Sequence, residues 1–265
     1  MASKILGGFL ALLTLAGCES VQDLHVTPAP VAKLGPVEAR QLYATGKAQL
    51  AEQPRTLARV TAAAQQLAEA AAVLNTDYDA QWAAASAWEF VADNEPRHPE
   101  RVAAAKQGIA LARLARELQP DRVEGHYWYA LTVGLLADAD RAYGLKAVGE
   151  MDLALRRAME LDERYDYAGP VRVLGILLLR APAPPVSIGS SRKSLRLLQH
   201  AVELYPNYPE NMLYLAEAFR DNKRNVEARE LLKKVMNAPL WPDRQFESLG
   251  WQAAAQKLLQ CVPVN

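Results

Sequence analysis

Pro120 is followed ten residues later by Ala130 and Pro206 ten residues later by Ala216, and five residues before each proline stands another alanine, Ala115 or Ala201. The frame recurs with other residues in the proline's place. Thr76 has Ala71 five before it, Trp82 six after and Ser86 ten after, and Glu163 has Ala158 five before it. Small residues at fixed offsets from a helix-ending position constrain the fold more than composition does. A small side chain where two helices cross lets their backbones approach, and a proline stops one helix and starts the turn into the next. From Pro36 onward the chain is rich in Ala and Leu, with apolar residues at helical spacing and few β-branched runs. It is expected to be all-α.

The offsets predict antiparallel helix pairs. The first is about Pro36 to Ala51 with Thr56 to Asn75, and the second about Tyr78 to Asp93 with Pro99 to Leu118. Val123 to Asp138 pairs with Lys146 to Leu161, and Ala168 to Arg180 with Arg192 to Tyr205. Pro209 to Arg220 pairs with Val226 to Met236, where Ala216, Ala228, Leu232 and Val235 mark the crossing, and a closing helix spans about Pro242 to Leu259. This pattern resembles the tetratricopeptide repeat, a 34-residue helix-turn-helix unit. The expected fold is therefore a tetratricopeptide-like right-handed stack of about five antiparallel helix pairs plus a C-terminal helix, over residues 36–265. Three turns look lengthened: 93–99, 137–149 and 180–191, the last too proline-rich for a helix.

The N-terminus carries a different signal. Lys4 precedes an apolar stretch of about 13 residues, shorter than the roughly 20 a membrane-spanning helix needs, and the stretch ends in Leu15-Ala16-Gly17-Cys18. It has the flanks of a secretory signal and resembles a bacterial lipoprotein signal, which implies cleavage after residue 17 and acylation of Cys18. Two or more acyl chains hold a protein on a membrane stably, whereas one does so marginally. Glu19 at the next position fits outer-membrane sorting, with the protein facing the periplasm. Residues 18–35, with Pro28 and Pro30, read as a lipidated cysteine and its tether, about 55 Å long when extended. Cys261 would then lack an intramolecular partner and is expected as a buried thiol, with intermolecular pairing as the alternative.

Charge excludes one class of function. Lys and Arg number 30 against 30 Asp and Glu, and removing Lys4 with the signal leaves 29 against 30, so no basic surplus exists to meet nucleic-acid phosphates. The histidines, His25, His98, His126 and His200, show no metal-ligand spacing, and no nucleophile elbow, phosphate loop or CxxC pair occurs. Asp138-Ala139-Asp140-Arg141 falls at a helix end, where charges are usually solvated. No catalytic, metal or cofactor site is expected, and the chain reads as a non-enzyme.

The candidate contact residues are aromatic and cationic. Tyr127, Trp128 and Tyr129 are consecutive, so at most two share a helix face. Tyr127 occupies the repeat position that faces the concave side of the stack, with Leu213 its counterpart in the last pair and Tyr143 beyond. Either partner contact or plain packing accounts for them. Arg172 interrupts Val171-Val173-Leu174-Ile176-Leu177-Leu178-Leu179, an apolar helix expected to be buried. A buried guanidinium needs a carboxylate partner. The alternative is a residue that binds an anion in a groove.

Two segments narrow the resemblance: Gly125-His126-Tyr127-Trp128-Tyr129-Ala130-Leu131, and the run from Gly169 through Arg180-Ala181-Pro182-Ala183-Pro184-Pro185 to Tyr205-Pro206-Asn207-Tyr208-Pro209-Glu210-Asn211. They look like the T-component family of tripartite ATP-independent periplasmic (TRAP) transporters, typified by TatT, over about residues 36–240. The resemblance implies a lipid-anchored, non-enzymatic helper facing the periplasm. It would associate with a substrate-binding protein, with a ring-shaped trimer as one form of assembly. Where that family often has Gly-Asp after the proline turn, this chain has Gly189-Ser190. A rival reading is a tetratricopeptide lipoprotein that assists outer-membrane, pilus or envelope-polysaccharide assembly.

Overall fold

In the computed structural model, residues 34–263 are described, and the signal, Cys18 and most of the tether lie outside them. The order is α1 (Pro36–Ala51), α2 (Leu57–Val73), α3 (Tyr78–Asn94), α4 (His98–Leu118), α5 (Val123–Ala139), a 3-10 turn (Arg141–Tyr143), α6 (Gly144–Asp162), α7 (Tyr165–Arg180), α8 (Ser191–Leu204), α9 (Pro209–Asp221), α10 (Asn225–Met236) and α11 (Gln245–Gln260). Each helix packs mainly against its neighbours in sequence. The result is five antiparallel pairs and a closing helix. No described helix is long and apolar enough to cross a membrane.

The small residues five positions before each proline or its stand-in lie at the crossings. Ala71 is 1% exposed, and Ala115, Ala158 and Ala201 are fully buried. Five residues after the same position, two amide side chains do one job. Gln81 Nε2 donates to the carbonyl of Ala71 at 2.8 Å, and Asn211 Nδ2 donates to that of Ala201 at 3.0 Å. Each bonds a carbonyl in the last turn of a helix, and at Ala201 it is a second donor, because the Tyr205 N–H already bonds that oxygen at 3.1 Å. In the third copy the position is Gly125, and a Cβ there would lie 2.9 Å from the backbone nitrogen of Arg116. Closeness replaces the hydrogen bond.

Helix starts follow local chemistry. Thr56, Asp77 and Ser190 accept from the amides of Arg59, Ala80 and Lys193, while α1, α4 and α9 have proline in their first positions. At the end of α9, Lys223 N–H donates to Arg220 O and Arg224 N–H to Phe219 O, with Lys223 at φ 61°. This pair of bonds defines a Schellman cap, in which glycine normally takes the left-handed residue. Lys223 is exposed, so Lys223→Gly should raise stability by roughly 0.5–1 kcal/mol in urea unfolding.

Two of the three lengthened turns are shorter than the sequence suggests. The segment 137–149 is nearly all helix, because α5 extends to Ala139 and α6 begins at Gly144. Arg101 pairs with Asp138 at 3.0 Å and His98 Nε2 lies 2.9 Å from Ala139 O, which fastens the last turn of α5 to the start of α4. Asp138 is thus a half-buried ion-pair partner rather than a solvated charge. Between α3 and α4 only Glu95-Pro96-Arg97 are non-helical. The segment 181–190 is the long loop expected. It closes through Gly189 N–H to Pro182 O at 2.9 Å and Ser190 N–H to Leu178 O at 2.8 Å, and a Cβ on Gly189 would collide with the Ala181 carbonyl. Cys261 is exposed, a correction to the buried thiol expected, because α11 ends at Gln260 and turns the next residue outward.

The stack curls until its ends meet. Gln53 Nε2, in the α1–α2 turn, donates to Asp243 O at 3.1 Å, Arg55 pairs with Glu247 at 2.9 Å, and Phe90 of α3 meets Phe246 at 5.5 Å between centroids. The concave side is therefore bridged by α11.

Candidate functional site

Beneath that bridge lies a cavity of about 510 Å³, lined by α3, α5, α7, the start of α9 and α11. Its floor is built on an unusual backbone. Asp166, Tyr167 and Ala168 all have positive φ, 48°, 57° and 65°, so the chain makes a left-handed turn immediately before Gly169-Pro170 begins the regular part of α7. For L-residues this conformation costs about 1–2 kcal/mol each. Such strain persists only where surrounding contacts over-determine it.

Those contacts converge on the turn. Arg172 Nη1 donates to the carbonyls of Asp166 (3.3 Å) and Tyr167 (3.2 Å) and to Asn211 Oδ1 (3.0 Å). Asn211 Nδ2 also donates to Tyr167 O at 3.1 Å. The Tyr167 ring stacks on Tyr208 at 4.5 Å, and Trp241 lies edge-on to both. The Asp166 carboxylate accepts from Tyr127 Oη at 2.6 Å and Arg244 Nη2 at 2.8 Å. Arg172 Nη2 lies 3.5 Å from that carboxylate and 3.1 Å from Glu210 Oε2.

Charge is unevenly compensated. Burial opposes ionisation of Asp166, yet the guanidinium groups of Arg244 and Arg172 and the Tyr127 hydroxyl hold its carboxyl below the usual range. Burial pushes Glu210 up to about 7 against the pull of Arg172, with Asp166 adding to the rise. Burial together with the negative charges of Asp93, Asp166, Glu210 and Glu247 pushes Glu89 well above its ordinary value.

Of the candidate contact residues, Tyr127, Trp128 and Arg172 come together in the cavity wall. Arg172 is 3% exposed and its guanidinium is engaged on every side described above, so the internal ion-pair reading replaces the anion-binding one. Tyr143 lies elsewhere, its hydroxyl sharing Glu150 Oε2 with that of Tyr129 at 2.8 and 2.7 Å. Leu213 is 4% exposed and belongs to the core. Cys18 is outside the described residues. Sequence reasoning missed Asp166, Arg244, Glu89 and Tyr208. The need of Arg172 for a carboxylate was a usable signal, and Glu210 in the quoted Tyr205–Asn211 segment could have answered it. Among the described residues, no group of three or more His, Cys, Asp or Glu is placed to hold a metal ion.

No protein-family model matches this sequence, and no curated protein does. Solved structures do resemble it in shape. TTC0263, a tetratricopeptide-repeat protein of Thermus thermophilus, superposes with a TM-score of 0.60 at 17% identity, over 83% of this chain and 99% of its own. Pseudomonas aeruginosa PilF gives a TM-score of 0.54 at 18% identity, over 85% of this chain and 92% of its own. The fold is a tetratricopeptide-like helical stack. In this chain the concave side is a partly covered chamber, because α11 reaches across it to the first hairpin.

Proposed function

We propose that this protein is a lipid-anchored, periplasm-facing scaffold of the TRAP T-component type. In this reading it engages a substrate-binding protein and performs no bond-making chemistry. The anchor rests on Leu15-Ala16-Gly17-Cys18. The observation that carries the transporter reading is the chamber of about 510 Å³ on the concave side. A scaffold that only laid an extended peptide along its groove would gain from an open concave face. A chamber in the size range of small-molecule sites suits a helper that stands beside a solute-handling partner. Trp128 in the chamber wall and Arg164 at its exposed rim would lie nearest that partner.

A second reading, a scaffold for pilus assembly, stands beside it because PilF is among the similar structures, although at 18% identity that likeness speaks for the fold alone. Affinity capture of the full lipidated chain from crosslinked, detergent-solubilised envelopes separates the two. Recovery of a periplasmic solute-binding protein is the expected result. Recovery of pilus or outer-membrane assembly proteins supports the second reading and overturns the first. Cys18→Ala should move the protein from the membrane fraction to the soluble periplasmic one, and a variant that stays membrane-bound removes the lipid anchor from the proposal.

A further inference from the structure

We propose that the chamber binds a small organic ammonium ion that carries an apolar or aromatic group. The inference rests on reading the chamber as a small-molecule site, and it does not depend on which protein partner the scaffold engages.

The lining residues include four arginines and five carboxylates: Arg55, Arg164, Arg172 and Arg244 against Glu89, Asp93, Asp166, Glu210 and Glu247. Three of the arginines are already committed. Arg172 is held by Asp166 and Glu210, Arg244 by Asp166 and Asp243, and Arg55 by Glu247. Arg164 is exposed at the rim, where solvent and salt screen its charge. The interior therefore offers an incoming anion no uncommitted cation. It does offer an uncommitted carboxyl group, which burial and its acidic neighbours hold above the usual carboxylate range and which an incoming cation would favour in its ionised form. Glu89 makes no hydrogen bond or ion pair among the described residues, and Arg55, whose charge it influences, is bonded to Glu247 instead.

The rest of the wall suits the same guest. Tyr127, Trp128, Phe246 and Trp251 line the chamber beside Phe90 and Tyr208, whose rings already carry the guanidinium groups of Arg55 and Arg172. Ring faces attract cations, and more strongly when water is excluded. Tyr208 is 1% exposed, lines the chamber and makes no hydrogen bond through its hydroxyl among the described residues. An ammonium ion would bind the Glu89 carboxylate, its apolar part would lie against the rings, and the Tyr208 hydroxyl oxygen would accept a further hydrogen bond.

Calorimetric titration of the purified protein with three probes of similar size tests the inference: phenethylammonium, the neutral 2-phenylethanol and the anionic 3-phenylpropionate. Phenethylammonium is expected to bind with a Kd at or below about 1 mM, at least about tenfold more tightly than the other two. Glu89→Gln should abolish that preference. Because Glu89 has no partner to lose among the described residues, the variant should fold with an unchanged or raised Tm. Should it not fold, the ranking of the three probes on the wild-type chain decides alone. Equal binding of the probes, preference for 3-phenylpropionate, no binding of phenethylammonium, or undiminished affinity in a folded Glu89→Gln protein overturns the inference. The titration uses no partner protein, so its failure leaves the envelope-capture result unaffected.

Discussion

Arg172→Met is expected to destabilise the protein by about 3–5 kcal/mol, because it strands buried carboxylates without their cation. For a folded body of this size that is a fall in Tm of about 10 °C. The substitution conserves length and apolar stem, so packing is nearly kept while three things are lost. Glu210 loses its ion-pair partner, Asp166 keeps only Arg244 and Tyr127, and the carbonyls of Asp166 and Tyr167 lose their shared donor. The last loss releases the left-handed turn. Arg172→Lys should rescue only in part, since one ammonium cannot reproduce a planar fork that reaches carboxylates on one side and carbonyls on the other. Adding Glu210→Gln to Arg172→Met should recover a measurable part of the loss, because a neutral amide then replaces the buried carboxyl group left without its cation. Urea unfolding of the four proteins checks this. A single variant that unfolds at the wild-type midpoint shows that the network does not hold the turn.

Gly169→Ala is expected to cost about 3 kcal/mol. A Cβ at Gly169 would sit on the hydroxyl oxygen of Tyr127 and within 2.6 Å of its Cζ. Tyr127 is 1% exposed and has nowhere to retreat. Either the ring shifts and loses its 2.6 Å bond to Asp166, or α7 moves away from α5. Overpacking of this kind costs about 1–3 kcal/mol, and an abandoned bond to a charged group adds a comparable amount. The control is internal. Gly149→Ala, on the exposed side of α6, meets nothing within 4 Å and should raise stability by about 1 kcal/mol through helix propensity alone. Opposite signs for the same chemical change would tie the first effect to the Tyr127 contact. Equal small gains at both sites would refute that contact.

The helices and their crossings were legible because they depend on local spacing. Ala71, Ala115, Ala158 and Ala201 announce the crossings by size, and prolines announce the starts of α4 and α9. Arg172 was legible as a problem, an ion inside an apolar helix, although its solution was not. The left-handed turn carries no sequence signal, since Asp166, Tyr167 and Ala168 are not residues that favour positive φ as a run. It exists because distant groups on α5, α9 and the start of α11 hold it. The overlong spacing around 140 was read as loop because spacing alone cannot separate a long turn from longer helices. That choice is made by Arg101 and His98, some forty residues earlier in the chain. The residues that close the chamber, Gln53 and Arg55 against Asp243 and Glu247, are about 190 positions apart, beyond the reach of any periodicity.

A row of helical hairpins normally behaves as a chain of neighbours, in which a terminal unit can detach while the middle stays folded. Here Arg55 with Glu247 and Gln53 with Asp243 fasten the first unit to the last. Neither terminus can peel back without breaking these bonds and letting water reach Asp166, Arg172 and Glu210 together. The array is latched like a bracelet, so the opening that would admit or free a guest is also the motion that would begin to undo the protein.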